Sequence, residues 1–180
     1  MDWYDDKTYD KGYQGLASLA EVPGTQLLMI SVQRDSNLVL YDPGLKTVVR
    51  KVSLAGRSGN PSMYFCRYSN ELWASDYDTL VRVETESWKV NGSILIQGAV
   101  PGTQEFMGDF IFEKHERMCL AARPFSGDVI VLELTSLQKR QSIKLGQQPL
   151  TLALMADGEV LARDWKTGSL LRGQLLSGWS

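Results

Sequence analysis

Four stretches of this chain share one pattern, and their spacing limits the fold more than any other feature. They are LLMISVQRDSNLVLYD (Leu27–Asp42), LWASDYDTLVRVE (Leu72–Glu84), MCLAARPFSGDVIVLE (Met118–Glu133) and VLARDWKTGSLLRGQ (Val160–Gln174). Each has an apolar run, a polar turn and a second, alternating apolar run, which is the signature of a β-hairpin. The turns RDSN, DYDT, RPFSGD and DWKTG supply Asp, Asn, Ser and Gly, which bond locally to the backbone or tolerate positive φ. The second runs begin at Leu38, Leu80, Val129 and Leu170, at intervals of 42, 49 and 41 residues. A period of about 40–50 residues with four short strands per unit is that of β-propeller blades.

The remaining strands follow from what each blade must cover. Gly15–Val22, Ser62–Tyr68, Met107–Glu113 and Leu150–Met155 precede the hairpins and are almost continuously apolar or small. Innermost strands covered on both faces read this way. Thr47–Leu54, Trp88–Gln97 and Arg140–Gly146 follow the hairpins and carry interspersed Lys and Arg. That suits an outer edge that must not pair with other chains. The expected organisation is an N-terminal segment, 1–14, followed by blades at about 15–54, 62–97, 107–146 and 150–180. The fold class is all-β, with about four four-stranded antiparallel repeats, as a half-propeller or a small ring. VPGTQ occurs at Val22–Gln26 and again at Val100–Gln104, out of phase with this repeat. Pro-Gly is common turn chemistry. Neither copy opens a helix, so a phosphate cradle is not expected.

The first hairpin resembles the YVTN-type β-propeller repeat. Arg34-Asp35-Ser36-Asn37 takes the place of that family's polar turn, and Leu40-Tyr41-Asp42 ends the second strand. The resemblance covers about residues 15–176. It departs from the family at the Thr-Asn pair, where Ser31-Val32, Ser75-Asp76, Ala121-Ala122 and Arg163-Asp164 stand instead. The NHL and lactonase-like propellers are similar at comparable strength. The resemblance implies a propeller and no particular chemistry, because the fold hosts enzymes and binding proteins alike.

Four blades leave a sheet face open at each end, and the fourth lacks an outer strand. Three arrangements would cover these faces: a longer propeller of which this is a part, ring closure with a second copy, or a four-bladed ring. Asp5–Asp10, DDKTYD, has the length to supply the missing outer strand; a frayed terminus is the alternative.

Composition excludes several partner classes. With 43% hydrophobic and 22% charged residues the chain is globular, and its net charge of −2 shows no basic stripe of the kind nucleic-acid binders carry. No apolar run is long enough to span a bilayer as a helix. The start, MDWYDDKTYDKGYQ, is acidic, unlike a signal peptide. Cys66 and Cys119 match no zinc or redox spacing, so two buried thiols in the cytoplasm are expected, with a disulfide as the alternative.

The loops joining the second and third strands of each blade gather the candidate site residues: Arg34, Asp35, Asp76, Tyr77, Arg123, Phe125, Asp164 and Trp165. Functional residues favour loops on a rigid scaffold, and solvated turns are the plainer explanation. Tyr77, Phe125 and Trp165 stand out, because aromatics are enriched in binding hot spots. His115 is the only histidine and lies in the charged turn EKHER, with no nucleophile elbow to serve. The function expected is a non-catalytic module that binds a protein or small ligand through its loop face, without a cofactor. The alternative is a lactonase-like metal-dependent hydrolase, with Asp109 and either Glu21 or Asp76 on a divalent ion in the channel. Enzymatic activity is left open between the two.

Overall fold

The computed structural model describes residues 16–32, 37–54 and 62–176. These residues form strands and no helix, so no helix is long and apolar enough to cross a membrane. The strands run in chain order as β1 (Leu16–Glu21), β2 (Leu28–Val32), β3 (Asn37–Asp42), β4 (Thr47–Ser53), β5 (Met63–Cys66), β6 (Glu71–Asp76), β7 (Thr79–Glu84) and β8 (Val90–Leu95). They continue with β9 (Phe110–Phe112), β10 (Met118–Arg123), β11 (Asp128–Glu133), β12 (Gln138–Lys144), β13 (Pro149–Leu154), β14 (Glu159–Asp164) and β15 (Leu170–Gln174). Each sheet takes strands consecutive in the chain: β1-β2-β3-β4, β5-β6-β7-β8, β9-β10-β11-β12 and, with three strands, β13-β14-β15. The four hairpins read from the sequence are β2–β3, β6–β7, β10–β11 and β14–β15.

The chain divides into two compact units. One comprises Met1–Phe65, Glu71–Tyr77 and Val81–Ser93, the other Cys66–Asn70, Asp78–Leu80 and Ile94–Ser180. In the first unit, Met29 pairs with Leu40 and Leu38 with Val52 across the sheet, which puts these residues on one face. That face is fully buried and packs with Leu72, Ala74, Val81 and Val83. Its reverse carries Leu28, Ile30, Val32, Val39 and Tyr41, which are half-buried, while Leu19 is exposed. Strands β2 and β3 are thus apolar on both faces, the pattern of a sheet meant to be covered twice.

In the second unit, Met118, Leu120, Val129, Val131 and Ile143 meet Val160, Leu152, Leu154 and Leu175. Strand β14 alternates strictly: Val160, Ala162 and Asp164 are buried, whereas Glu159 and Leu161 are half-buried and Arg163 is exposed. On β15, Leu171 is buried and Leu170 and Arg172 are exposed. The three-stranded sheet therefore keeps one core face, while its reverse mixes Glu159, Arg163 and Arg172 with Leu161 and Leu170. A side chain bonds part of β15 and the residues after it. The Gln141 amide donates to the Gln174 carbonyl (3.1 Å) and accepts from the Leu176 amide (3.1 Å).

Two local departures from the sequence expectation have simple causes, and one expectation is met in detail. Trp88 lies in the β7–β8 turn with positive φ (55°), not in a strand. Its amide donates to the Glu84 carbonyl, which ends β7, and its ring meets Phe65 edge-on at 6.5 Å. Strand β9 is shorter than Met107–Glu113 because Asp109 donates its amide to the Leu150 carbonyl (2.6 Å), outside its own sheet. The two VPGTQ copies fold identically in unrelated places. In each, Thr N–H and Thr hydroxyl both donate to the Val carbonyl, and Gly24 (φ 73°) and Gly102 (φ 81°) take the left-handed position of a Pro-Gly turn. The expected N-terminal closing strand falls outside the described residues.

Gly108 shows how tightly the sheets of the second unit approach. A Cβ at this position would lie 2.5 Å from the Leu150 carbonyl oxygen, and backbone cannot retreat as a side-chain tip can. Gly108→Ala should destabilise the fold by about 1–3 kcal/mol, a drop in Tm of roughly 2–10 °C for a chain of this size. Differential scanning calorimetry measures it, and an unchanged Tm would contradict the packing described.

Candidate functional site

The hairpin turns of β10–β11 and β14–β15 are built alike. Gly127 donates its amide to the Arg123 carbonyl and Gly168 to the Asp164 carbonyl, both at 3.0 Å. Both glycines have positive φ, 67° and 72°. This is a type I turn followed by a left-handed residue, a common way to close a short hairpin. It places Phe125 and Trp165 near the tips of their turns.

Buried carboxylates hold both turns. Glu105, 2% exposed, accepts from the Phe125 amide (2.9 Å), the Phe106 amide (3.1 Å) and the Ser126 hydroxyl. Ser126 in turn accepts from the Ala99 amide (2.8 Å). Asp164, 1% exposed, accepts from the amides of Gln148 (2.7 Å) and Thr167 (2.6 Å) and from the Thr167 hydroxyl (2.7 Å). These bonds, the Gln148 amide foremost, keep its carboxyl below the usual aspartate range. Trp165 itself donates its amide to the Gln148 carbonyl (2.8 Å). Each turn is thereby tied to the linker that enters its own sheet, and turns and linkers share one face of this unit.

Arg123 and Asp128 close the base of the first turn. Arg123 Nε and Nη2 grip the two oxygens of Asp128 at 2.8 and 2.7 Å, and Nη1 reaches the Gln97 carbonyl at 2.5 Å. Ser142 and Lys144 also donate to Asp128. Burial by itself would push the Asp128 carboxyl up, but the Arg123, Ser142 and Lys144 donors outweigh it and hold it below its usual value. Arg123 is 4% exposed, so its role in this geometry is to shape the turn from beneath.

Above these groups lies an aromatic cluster. Phe125 stacks on Trp165 with centroids 6.5 Å apart and planes 29° apart, and Phe106 packs against the same indole at 5.9 Å. Phe125 and Trp165 remain 55% and 49% exposed despite this contact. Beside the rings is an open cavity of about 600 Å³, bordered by Pro124, Phe125, Lys144, Gln147, Asp164 and Lys166.

The structure thus brings four of the sequence candidates, Arg123, Phe125, Asp164 and Trp165, into two neighbouring turns. Phe125 and Trp165 face solvent, and Arg123 and Asp164 support them. Asp76 and Tyr77 belong to the first unit, where Asp76 is buried at the end of β6 and Tyr77 opens the turn with positive φ (55°). Arg34 and Asp35 fall outside the described residues. Sequence reasoning missed Glu105 and Phe106. The available signal was their position just after the second VPGTQ turn, where an acid and an aromatic interrupt a polar linker.

The metal reading finds no support. Asp109 accepts from the amides of Phe110 (2.9 Å) and Leu152 (3.4 Å), and burial pushes its carboxyl up. Among the described residues no group of three or more His, Cys, Asp or Glu could hold an ion. His115 is exposed, and its neighbour Glu113 spends its carboxylate on the amides of His115 and Arg117, both at 2.7 Å. Cys66 and Cys119 are buried free thiols, and burial raises the pKa of each.

Asp128→Asn would leave the Arg123 charge buried without its counter-ion and should cost about 3–5 kcal/mol. The pH dependence has a definite sign. A carboxyl held below its usual value in the folded chain contributes stability that is complete above about pH 4. That contribution disappears as pH falls through the folded value. Urea unfolding at pH 7 and pH 3 should show a smaller loss on acidification for Asp128→Asn than for the wild type.

No family model matches the chain, and no curated protein matches it in sequence. Solved structures do match. The Cps50 (Swd1) β-propeller domain of Myceliophteria thermophila superposes with a TM-score of 0.72 at 10% identity, over 97% of this chain and 57% of that one. Kuenenia stuttgartiensis hydrazine synthase gives 0.68 at 15% identity, over 86% and 43%, and a mitotic checkpoint complex structure gives 0.69 at 14%, over 89% and 49%. At these identities the likeness establishes the fold, which is that of β-propeller blades, and the chain spans about half the length of the structures it matches.

Proposed function

We propose that this chain is a propeller-type protein-interaction module that takes a peptide segment of its partner on the Phe106–Phe125–Trp165 face. One observation carries the proposal: two large aromatic rings stay half-exposed on turns whose backbones are pinned by buried carboxylates. Exposed rings held in place bind at little entropic cost, because their ordering is already complete. Large aromatics anchored this way are the residue types that dominate interface energies. The solved propellers it resembles include a chain of the mitotic checkpoint complex, which agrees with a role in assemblies. We also propose that the repeats are of the YVTN-like type, a resemblance that spans about residues 15–176 and is strongest in the first hairpin.

The test is affinity capture from cell extract with the wild type and with Phe125→Ala/Trp165→Ala, both verified as folded by circular dichroism. The wild type should retain specific partners that the double variant loses. Equal capture by both proteins would overturn the assignment of this face.

A second proposal follows from the first sheet. Its half-buried apolar face of Leu28, Ile30, Val32, Val39 and Tyr41 favours covering by further blades or by a second copy. Light scattering on a size-exclusion column distinguishes them. A mass near twice 20.1 kDa, reduced to the single value by Val39→Lys, indicates closure by a second copy. A wild-type monomer excludes it.

A further inference from the structure

We infer that the segment bound at the aromatic face is acidic and flanks an apolar anchor residue. This inference rests on the proposed binding role of that face and adds the chemistry of what binds. It comes from the way the face distributes its charges. The three carboxylates that hold these turns point inward. Glu105, Asp128 and Asp164 are 2%, 0% and 1% exposed, and each is occupied by amides, hydroxyls or cations of its own turn or linker.

Arg123 stays beneath its turn, but the other cations of these turns and strands point outward. The Lys144 side chain is 64% exposed even while its ammonium touches Asp128 at 3.1 Å. Lys166, beside Trp165 on the cavity rim, is exposed, as is Arg163 at the foot of that turn. A partner approaching Phe125 and Trp165 therefore meets ammonium groups and no exposed carboxylate of these turns. The chain as a whole carries a net charge of −2, so the cationic character of the exposed groups here is set by which groups the turns bury, not by composition. Charge complementarity selects partners and speeds encounter more than it adds affinity. The stacked rings supply the apolar half of the site, and Phe125 also borders the 600 Å³ cavity.

Isothermal titration calorimetry on the full chain tests the inference with three synthetic peptides. Each has a central Pro-Leu-Phe, flanked on both sides by Asp and Glu, by Ser and Gln, or by Lys. The acidic peptide should bind at least about tenfold more tightly than the neutral one, a difference of about 1.4 kcal/mol. Its advantage should shrink as salt rises from 50 to 500 mM. Lys166→Glu should weaken the acidic peptide about fivefold and leave the neutral peptide unchanged, with no change in Tm because the side chain is exposed. Trp165→Ala should weaken both.

If the neutral or basic peptide binds as tightly as the acidic one, the acidic preference is wrong while the face remains a peptide site. If no peptide binds at 1 mM, the inference and the binding role it rests on both fall. A single-stranded oligonucleotide that binds as tightly as the acidic peptide would overturn the peptide class.

Discussion

A sheet of four strands, each about six residues long, has two faces and cannot bury either by itself. It must lie against another sheet, and this requirement organises the chain. Met29, Leu38, Leu40 and Val52 find Leu72, Ala74, Val81 and Val83 in the first unit. Met118, Leu120 and Val131 find Val160 and Leu154 in the second. The hydrophobic gain of these contacts is spread along whole rows of side chains. A hairpin that slipped by one residue would turn its entire row outward. The tightest approach is marked by Gly108, which has no side chain because the Leu150 carbonyl occupies the space.

With the sheets held this way, their turns are free to carry other chemistry, but a turn is not rigid merely because its strands are. In the second unit, rigidity comes from polar groups taken out of water. Glu105 and Asp164 exchange solvent for backbone amides, and Asp128 for the Arg123 guanidinium. Buried carboxylates with incomplete partners would be costly; these are well supplied. The same bonds that stabilise the turns force Phe125 and Trp165 into one stack and leave their outer surfaces to solvent. Stability and presentation are here two consequences of one set of hydrogen bonds.

The same bonds decide the sign of the local charge. In composition the turns and linkers of this face carry acids as well as bases. In the folded chain the acids face the backbone and the lysines face water. A carboxylate is short and accepts several amides at once, so it can be enclosed in a turn. A lysine has a long flexible stem that lets its ammonium stay hydrated while the stem lies on protein. The electrostatic character of the surface follows from this difference in shape.

Period, alternation and turn chemistry were legible in the chain itself. The repeat of 42, 49 and 41 residues predicted sheets of consecutive strands, and the hairpins at Leu27–Asp42, Leu72–Glu84, Met118–Glu133 and Val160–Gln174 lie where alternation placed them. Even the two VPGTQ segments take the same turn, because a Pro-Gly turn closed by a Thr hydroxyl needs only residues within reach of one another. The sequence also pointed to Phe125 and Trp165 as turn-tip aromatics. It could not show that these rings stack, that Phe106 joins them, or that Arg123 and Asp164 lie beneath rather than on the surface. Those facts depend on which side chains far apart in the chain come within hydrogen-bond or ring-contact distance. Sheet packing sets those distances, and no local pattern encodes them.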